Sequence, residues 1–288
     1  MNSFYLDSSH FELLTVSGDD AERFLQGQLS CDVSKVTESS FLHGTACNNK
    51  GRVIVPFIIL KSGADYLLVF GPTLGSLFLA ALKKFLPFYK CSMQLNNPAF
   101  SCLGLVGTET AKLLQALNLG IPAIGNAHIT DECLLATLDA ETPQILALVT
   151  NRSLLSRLEN DPEMISKDDG SIWQSTGMIN GHFPFSAEDS EKFTPQELLF
   201  DRNEYVSFTK GCYTGQEIVA RMHYRGKVKK QLHLLKITVN DSSDLQALKL
   251  LGIDGTELAP CIKVVRTGSL TAYALAVLPI ESDIKTLS

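Results

Sequence analysis

Lys210-Gly211-Cys212-Tyr213-Thr214-Gly215-Gln216-Glu217-Ile218-Val219-Ala220-Arg221 puts a cation, a thiol, a phenol, two glycines, an amide, a carboxylate and a guanidinium within twelve positions. Core segments do not read this way. Gly211 and Gly215 allow backbone angles and close approaches that side chains forbid. Between them Cys212 sits in a tight turn, and Lys210 is placed to lower the thiol pKa by its charge. An isolated Lys-Gly-Cys reads as a turn around an inert cysteine. The whole string gives Cys212 and Lys210 candidate catalytic roles. After Glu217, the apolar positions Ile218, Val219 and Met222 begin a helix or strand that packs on a core.

Charge gathers around the same stretch. Residues 210–230 hold six basic side chains against one acid, in a chain of net charge -6. A basic patch on an acidic protein points to an anionic ligand or partner. A lysine-protected strand edge explains the same pattern without a ligand. The 288 residues are enough for two or three domains, and 45% hydrophobic with 19% charged residues is a globular composition. Seven cysteines with no C-x-x-C spacing argue against a disulfide framework or a zinc site, so no metal is expected. The first residues carry no signal-peptide pattern, and the apolar run 66–82 is broken by Gly71-Pro72 and Gly75. A soluble, cytoplasmic protein is expected.

Going along the chain, residues 11–18 read as a strand and Ala21 to Gln28 as a helix capped by Asp19 and Asp20. Gln26, Gln28 and Asp32 beside Gly27 line a pocket or cap the helix. Residues 41–47 and 52–60 form a hairpin around Asn48-Asn49-Lys50-Gly51, with Pro56 marking an edge or bulge. Residues 66–70, 102–106, 134–138 and 145–149 read as strands, and 73–86, 109–117 and 154–158 as helices. Frequent hairpins favour an α+β fold with antiparallel sheets. Trp173 lies on a polar, glycine-rich segment, as a core anchor or as a stacking face for a planar ligand. Strands over 231–239, 262–266 and 271–278 make a small C-terminal β-domain.

Three separated strings match one family: Phe24-Leu-Gln-Gly-Gln-Leu29 with Asp32-Val33, Lys50-Gly51-Arg52, and Lys210 to Glu217 with Ala220-Arg221 and Tyr224-Arg225-Gly226. The chain resembles the YgfZ-type folate-binding proteins, relatives of the glycine-cleavage T-protein. The third string is that family's signature, carried here by Lys210, Gly211, Cys212, Tyr213, Gly215, Gln216, Glu217 and Arg221. The resemblance implies two interwoven ferredoxin-like antiparallel units over residues 1–225 and a short C-terminal β-barrel over 226–288. It implies a folate ligand, tetrahydrofolate or a derivative, held by Trp173, Phe11, Gln26 and Asp32. Phe11 stands where the second aromatic is often Trp. It also implies a role in assembling or repairing iron–sulfur enzymes, including tRNA-modifying ones, with those enzymes or assembly factors as partners.

The residues are compatible with this. A pterin is planar and stacks on an aromatic face. Its amide edge needs paired donors and acceptors. Its anionic tail is drawn to the basic stretch. A true aminomethyltransferase is the alternative, but the strand where such enzymes carry their catalytic acid reads Gly51-Arg-Val-Ile-Val-Pro56. With no carboxylate there, nothing accepts the proton. Direct nucleic-acid binding by the basic patch is disfavoured by the acidic remainder and the lack of an RNA-binding motif.

Overall fold

The computed structural model describes residues 3–139, 142–160, 164–239, 245, 249–252, 257–267, 270–280 and 284–286. In chain order the elements are β1 (Ser3–Leu6), β2 (Glu12–Ser17), α1 (Ala21–Gln28), β3 (Leu42–Cys47), β4 (Val53–Ser62), β5 (Asp65–Phe70), α2 (Leu74–Leu82) and β6 (Ser92–Leu95). Next come β7 (Ser101–Val106), α3 (Thr110–Ala116), β8 (Ala127–Ile129), β9 (Cys133–Asp139), β10 (Gln144–Val149), α4 (Arg152–Asn160) and β11 (Met164–Lys167). The remainder is α5 (Ser171–Ile179), α6 (Gln216–Arg225), β12 (Lys230–Thr238), β13 (Lys249–Gly252), β14 (Glu257–Pro260), β15 (Lys263–Arg266), β16 (Thr271–Pro279) and β17 (Ile284–Thr286).

Two large sheets carry the α+β body. One runs β3-β4-β5-β2-β6 and the other β11-β1-β7-β10-β9-β8. Every pairing within them is antiparallel except β1 with β11. The N-terminal strand β1 thus belongs to the sheet built from residues 101–167, so the two halves are interwoven in sequence.

Side-chain alternation explains how the sheets stack. Successive residues of a strand face opposite ways. On β5, Tyr66, Leu68 and Phe70 join the core that holds Phe24, Leu25 and Phe78. Leu67 and Val69 point the other way, onto Leu134, Ala136, Leu146 and Leu148 of β9 and β10. A strand buried on both faces reads as an unbroken apolar run, which is how residues 66–70 look. On β10, Ile145, Ala147 and Val149 face α3 and α4, packing with Leu113, Leu114, Leu154 and Leu158.

Local chemistry differs from expectation at Asp20 and after residue 170, while Pro56 meets the expected edge within a longer strand. Asp20 stands at the start of α1 but makes no side-chain cap bond, and its carboxylate accepts from the Lys90 N–H instead, tying the helix start to a distant loop. Pro56 sits inside β4, opposite Thr45, but β5 pairs with β4 only from Ile58 onward. The missing N–H therefore falls where one side of β4 has no neighbour. The glycine-rich stretch after residue 170 folds as α5, because the Asp168 carboxylate accepts from the N–H groups of Ile172 at 3.1 Å and Trp173 at 2.8 Å. That satisfies two of the donors a helix start leaves unpaired.

In the C-terminal part, the described strands pair as two three-stranded antiparallel sheets, β12-β16-β15 and β14-β13-β17. Among the described residues no pairing closes them into one barrel. Val265, Leu275 and Val277 reach into the core that holds Phe24 and Val53, so this part rests on the body. The Leu232 N–H donates to the Glu197 carbonyl at 2.8 Å. Among the described residues no helix is long and apolar enough to cross a membrane.

Candidate functional site

The residues expected to act together divide between two places. The first is the Lys210 loop. Gly215 ends it at φ 85° and leads into α6. A Cβ at Gly215 would collide with the Asn48 carbonyl oxygen, and one at Gly51 (φ 67°) would press on Ile218 at 3.0 Å. The Lys50-Gly51-Arg52 turn and the signature loop are therefore docked backbone to backbone, which explains two glycines that are 164 residues apart. Thr214 Oγ1 donates to Gln28 Oε1 at 3.0 Å.

Lys210 is turned inward. Its Nζ donates to the carbonyls of Gln26 at 2.7 Å, Leu29 at 2.6 Å and Cys31 at 2.9 Å. These carbonyls lie at the C-terminal end of α1, where unpaired oxygens and the helix dipole favour a cation. Burial pushes the ammonium down to about 8, opposed by Cys31 and Asp32, so it keeps its proton at neutral pH. The expected action of Lys210 on Cys212 is not what this geometry builds. The thiol that feels its charge is Cys31, and burial outweighs that effect, raising Cys31 to about 12. Cys212 itself is exposed on the loop, while Cys31, Cys47, Cys102 and Cys133 are buried. Tyr213 is buried, Gln216 opens α6, and Glu217 and Arg221 are exposed on it.

Gln26 and Asp32 belong to this place too. Gln26 Nε2 donates to Asp32 Oδ1 at 2.8 Å, and Gln26 Oε1 accepts from the Val33 N–H at 2.8 Å. The Ser34 hydroxyl, with Gln26 and the nearby lysines, holds the Asp32 carboxyl below its usual range. Both amide atoms of Gln26 close the loop after α1, and neither residue lines the cavity where the aromatic pair lies.

That cavity, about 360 Å³, is the second place. Phe11 and Trp173 meet edge to face on its wall, ring centroids 5.5 Å apart at 89°. Gly104 on β7 makes their room, since a Cβ there would strike the Trp173 ring at 2.6 Å and Phe11 at 3.1 Å. The wall also carries polar residues absent from the sequence reading of the site, among them His43 on β3, Gln144 on β10, His182 after α5, and Tyr205. His43 and His182 stack at 4.4 Å, and His182 Nδ1 shares a hydrogen bond with the Tyr205 hydroxyl at 3.0 Å. Burial, and for His43 the neighbouring His182, hold both imidazoles below their usual pKa, His43 the further of the two; Asp139 opposes the shift at His182.

Gln144 is 2% exposed, its Nε2 donates to the Trp173 carbonyl at 3.1 Å, and its Oε1 has no protein partner. His43 Nδ1 is likewise buried without one. Lys263 and His10 line the wall, and among the described residues no Asp or Glu and no residue of 210–230 does. An anionic ligand group in the cavity would meet Lys263 rather than the basic stretch. His43 and Gln144 sit in ordinary strands and carried no signal. Among the described residues no group of three or more His, Cys, Asp or Glu is placed to hold a metal ion.

Residues 2–124 match the GCVT N-terminal domain family. A "tRNA-modifying protein YgfZ" of Colwellia psychrerythraea is 30% identical over 237 residues, covering 81% of this chain and 71% of the relative. The protein of that name from Escherichia coli O45:K1 is 29% identical over 229 residues, covering 78% and 69%. An uncharacterized protein of Haemophilus influenzae is 29% identical over 246 residues, covering 84% and 77%. Among solved structures, the glycine cleavage system aminomethyltransferase T of Bartonella henselae superposes with a TM-score of 0.73 over 97% of this chain and 79% of its own, at 14% identity. At that identity the likeness is one of fold.

Proposed function

The chain belongs to the YgfZ family, and from that premise we propose that it is a folate-binding accessory protein that supports iron–sulfur enzymes, tRNA-modifying ones among them. Relatives that carry the name tRNA-modifying protein support the tRNA side of this reading. Cytoplasmic location follows from the same clients. The strand orders support two ferredoxin-like units: β4-β5-β2-β6 with α1 and α2, and β11-β7-β10-β9 with α3 and α4, the latter admitting β1 as a guest strand. A barrel-like pairing of the two C-terminal sheets belongs to the same proposal.

One observation carries the ligand assignment. The cavity joins an aromatic wall, Trp173 and Phe11, to a buried amide oxygen with no protein partner, Gln144 Oε1. Its volume lies within the range of small-molecule sites. A planar ring with a hydrogen-bonding edge fits that donor set, and tetrahydrofolate is such a ligand. Trp173 and Phe11 would hold the ring, Gln144 would meet its edge, and Lys263 would draw the anionic tail. Bound there, the folate would supply a one-carbon unit. Cys212 on its exposed loop would be the residue presented to a client.

The transferase reading has less support. Val53 and Val55 are fully buried in the strand where the acid is missing. Among the described residues, the carboxylate that such chemistry uses as its proton acceptor is missing from the cavity wall.

Trp173 is the chain's only tryptophan, so its fluorescence reads the cavity directly. Titration with reduced folates is expected to quench it with saturation, and no change with any of them overturns the folate assignment. In cells lacking the gene, wild type is expected to restore iron–sulfur enzyme activity and Cys212→Ala to fail. Full rescue by the variant would remove Cys212 from the mechanism.

A further inference from the structure

We propose that His43, His182 and Gln144 form a proton-gated recognition edge in the cavity: with both imidazoles neutral, His43 Nδ1 and Gln144 Oε1 present two acceptors to a flat ligand with an N–H-rich edge, and protonation of the pair releases it. This deepens the folate reading and rests on it.

The cluster is held on every side. His43 and His182 stack at 4.4 Å and 28°, the Tyr205 ring lies 4.9 Å from His43, and Phe41 meets His43 edge-on at 5.6 Å. Tyr205 is fixed in turn by a parallel stack on Phe200 at 4.2 Å. The rings therefore have little freedom to turn away from the cavity. The direction of the Gln144 amide is set as well, because its nitrogen donates to the Trp173 carbonyl and leaves Oε1 as the free acceptor. His43 and Gln144 line the wall beside the aromatic pair, and each carries a buried polar atom without a protein partner, which suits a ligand that brings donors.

The gate follows from imidazole chemistry. A neutral ring can offer Nδ1 as an acceptor, but an imidazolium has two donors and no acceptor. Protonating His43 turns an acceptor into a donor facing the ligand's donors. The surroundings resist that charge. Burial is the main cause, and the second imidazole lies against the first; Asp139 acts the other way, on His182, while His10 and Lys263 line the same wall. Below the ordinary histidine range the pair takes up a proton and the acceptor is lost.

The test is a titration of the full chain with folinate, a stable formylated tetrahydrofolate, read by Trp173 fluorescence from about pH 8 to about pH 5. Wild type is expected to keep its affinity down to the ordinary histidine range and to begin losing it only at the acid end of the titration. His43→Phe keeps the stacked ring and lacks Nδ1. It is expected to bind about ten-fold more weakly at the upper pH, with a flattened pH slope. His43→Asn returns an acceptor near the Nδ1 position and is expected to recover binding that no longer varies with pH. Gln144→Met is expected to weaken binding while keeping the slope. para-Aminobenzoylglutamate has no pterin ring, so its binding should be the same in all four proteins. If wild type binds folinate but His43→Phe and Gln144→Met match it in affinity and slope, the gate is wrong and the folate reading stands. If wild type binds no folate at any pH, both fall.

Discussion

The Lys210 loop and the aromatic cavity are both polar features inside an apolar body, and they are finished differently. In the loop Lys210 and Gln26 are matched: three carbonyls hold one ammonium, and Gln26 bonds through both ends of its amide. In the cavity two buried polar atoms, His43 Nδ1 and Gln144 Oε1, have no protein partner. A matched set holds a fold together, and an unmatched one asks for a ligand. The conspicuous motif thus has a structural inner half, Lys210 and Gly215, and an outward half, Gly211 and Cys212. The residues that would read a ligand lie elsewhere, in strands of ordinary composition.

The largest effect that tests this contrast is Lys210→Met. It leaves three carbonyls without their donor, and a loss of about 3 kcal/mol is expected in denaturant unfolding. A loss below about 1 kcal/mol would show that the loop is not held by that lysine. Next is Gly215→Ala, which forces a left-handed residue against the Asn48 carbonyl. About 2 kcal/mol or more of destabilisation is expected by the same measurement. Gly104→Ala acts on the other region. It displaces Trp173 and Phe11, so folate affinity is expected to fall about ten-fold or more while the Lys210 loop keeps its protection from hydrogen exchange.

A pH effect comes next. His43 and His182 have folded-state pKa values below their unfolded ones, so the unfolded chain takes up protons first as pH falls. The stability their neutral burial contributes is present above the ordinary histidine value and is lost as pH drops below it. Thermal midpoints of wild type should therefore fall more steeply between neutral and mildly acid pH than those of His43→Phe. Equal slopes would show that the pair is not buried neutral. The smallest effects belong to Gly211→Ala and Cys212→Ala. Gly211 has open space where a Cβ would go and Cys212 is exposed, so stability should change by less than about 0.5 kcal/mol. A measurable loss of client enzyme activity without a loss of stability would mark this half of the loop as a contact surface.

Much of the fold was legible because it rests on local patterns. The helix over 21–28 came out residue for residue, since Ala21, Phe24, Leu25 and Gln28 repeat at the spacing of one buried helical face. Strands at 66–70 and 145–149 showed as apolar runs. The strand β1 and the helix α5 did not show. The first is four residues long and owes its place to pairing with residues over 160 positions away, and the second owes its start to Asp168. In the site, Trp173 and Phe11 were legible as an aromatic pair and do share a wall. Gln26 and Asp32 read as lining a pocket or capping the helix, and in the structure they close the loop after α1. Local sequence cannot say which way an amide faces.

What the sequence determined by itself is the alternation of strand and helix, the antiparallel character and the singular chemistry of residues 210–221. These follow from side-chain periodicity and residue type, which act over a few positions. What only the tertiary structure decided is the direction of each polar group. Lys210 turned toward three carbonyls, because a buried cation needs acceptors and the end of α1 offers them. His43, Gln144, His182 and Tyr205 came from separated parts of the chain onto one cavity wall, because the stacked sheets and the segment around α5 meet there. In the Lys210–Arg221 stretch, folding hid the Lys210 ammonium and left the Cys212 thiol outside.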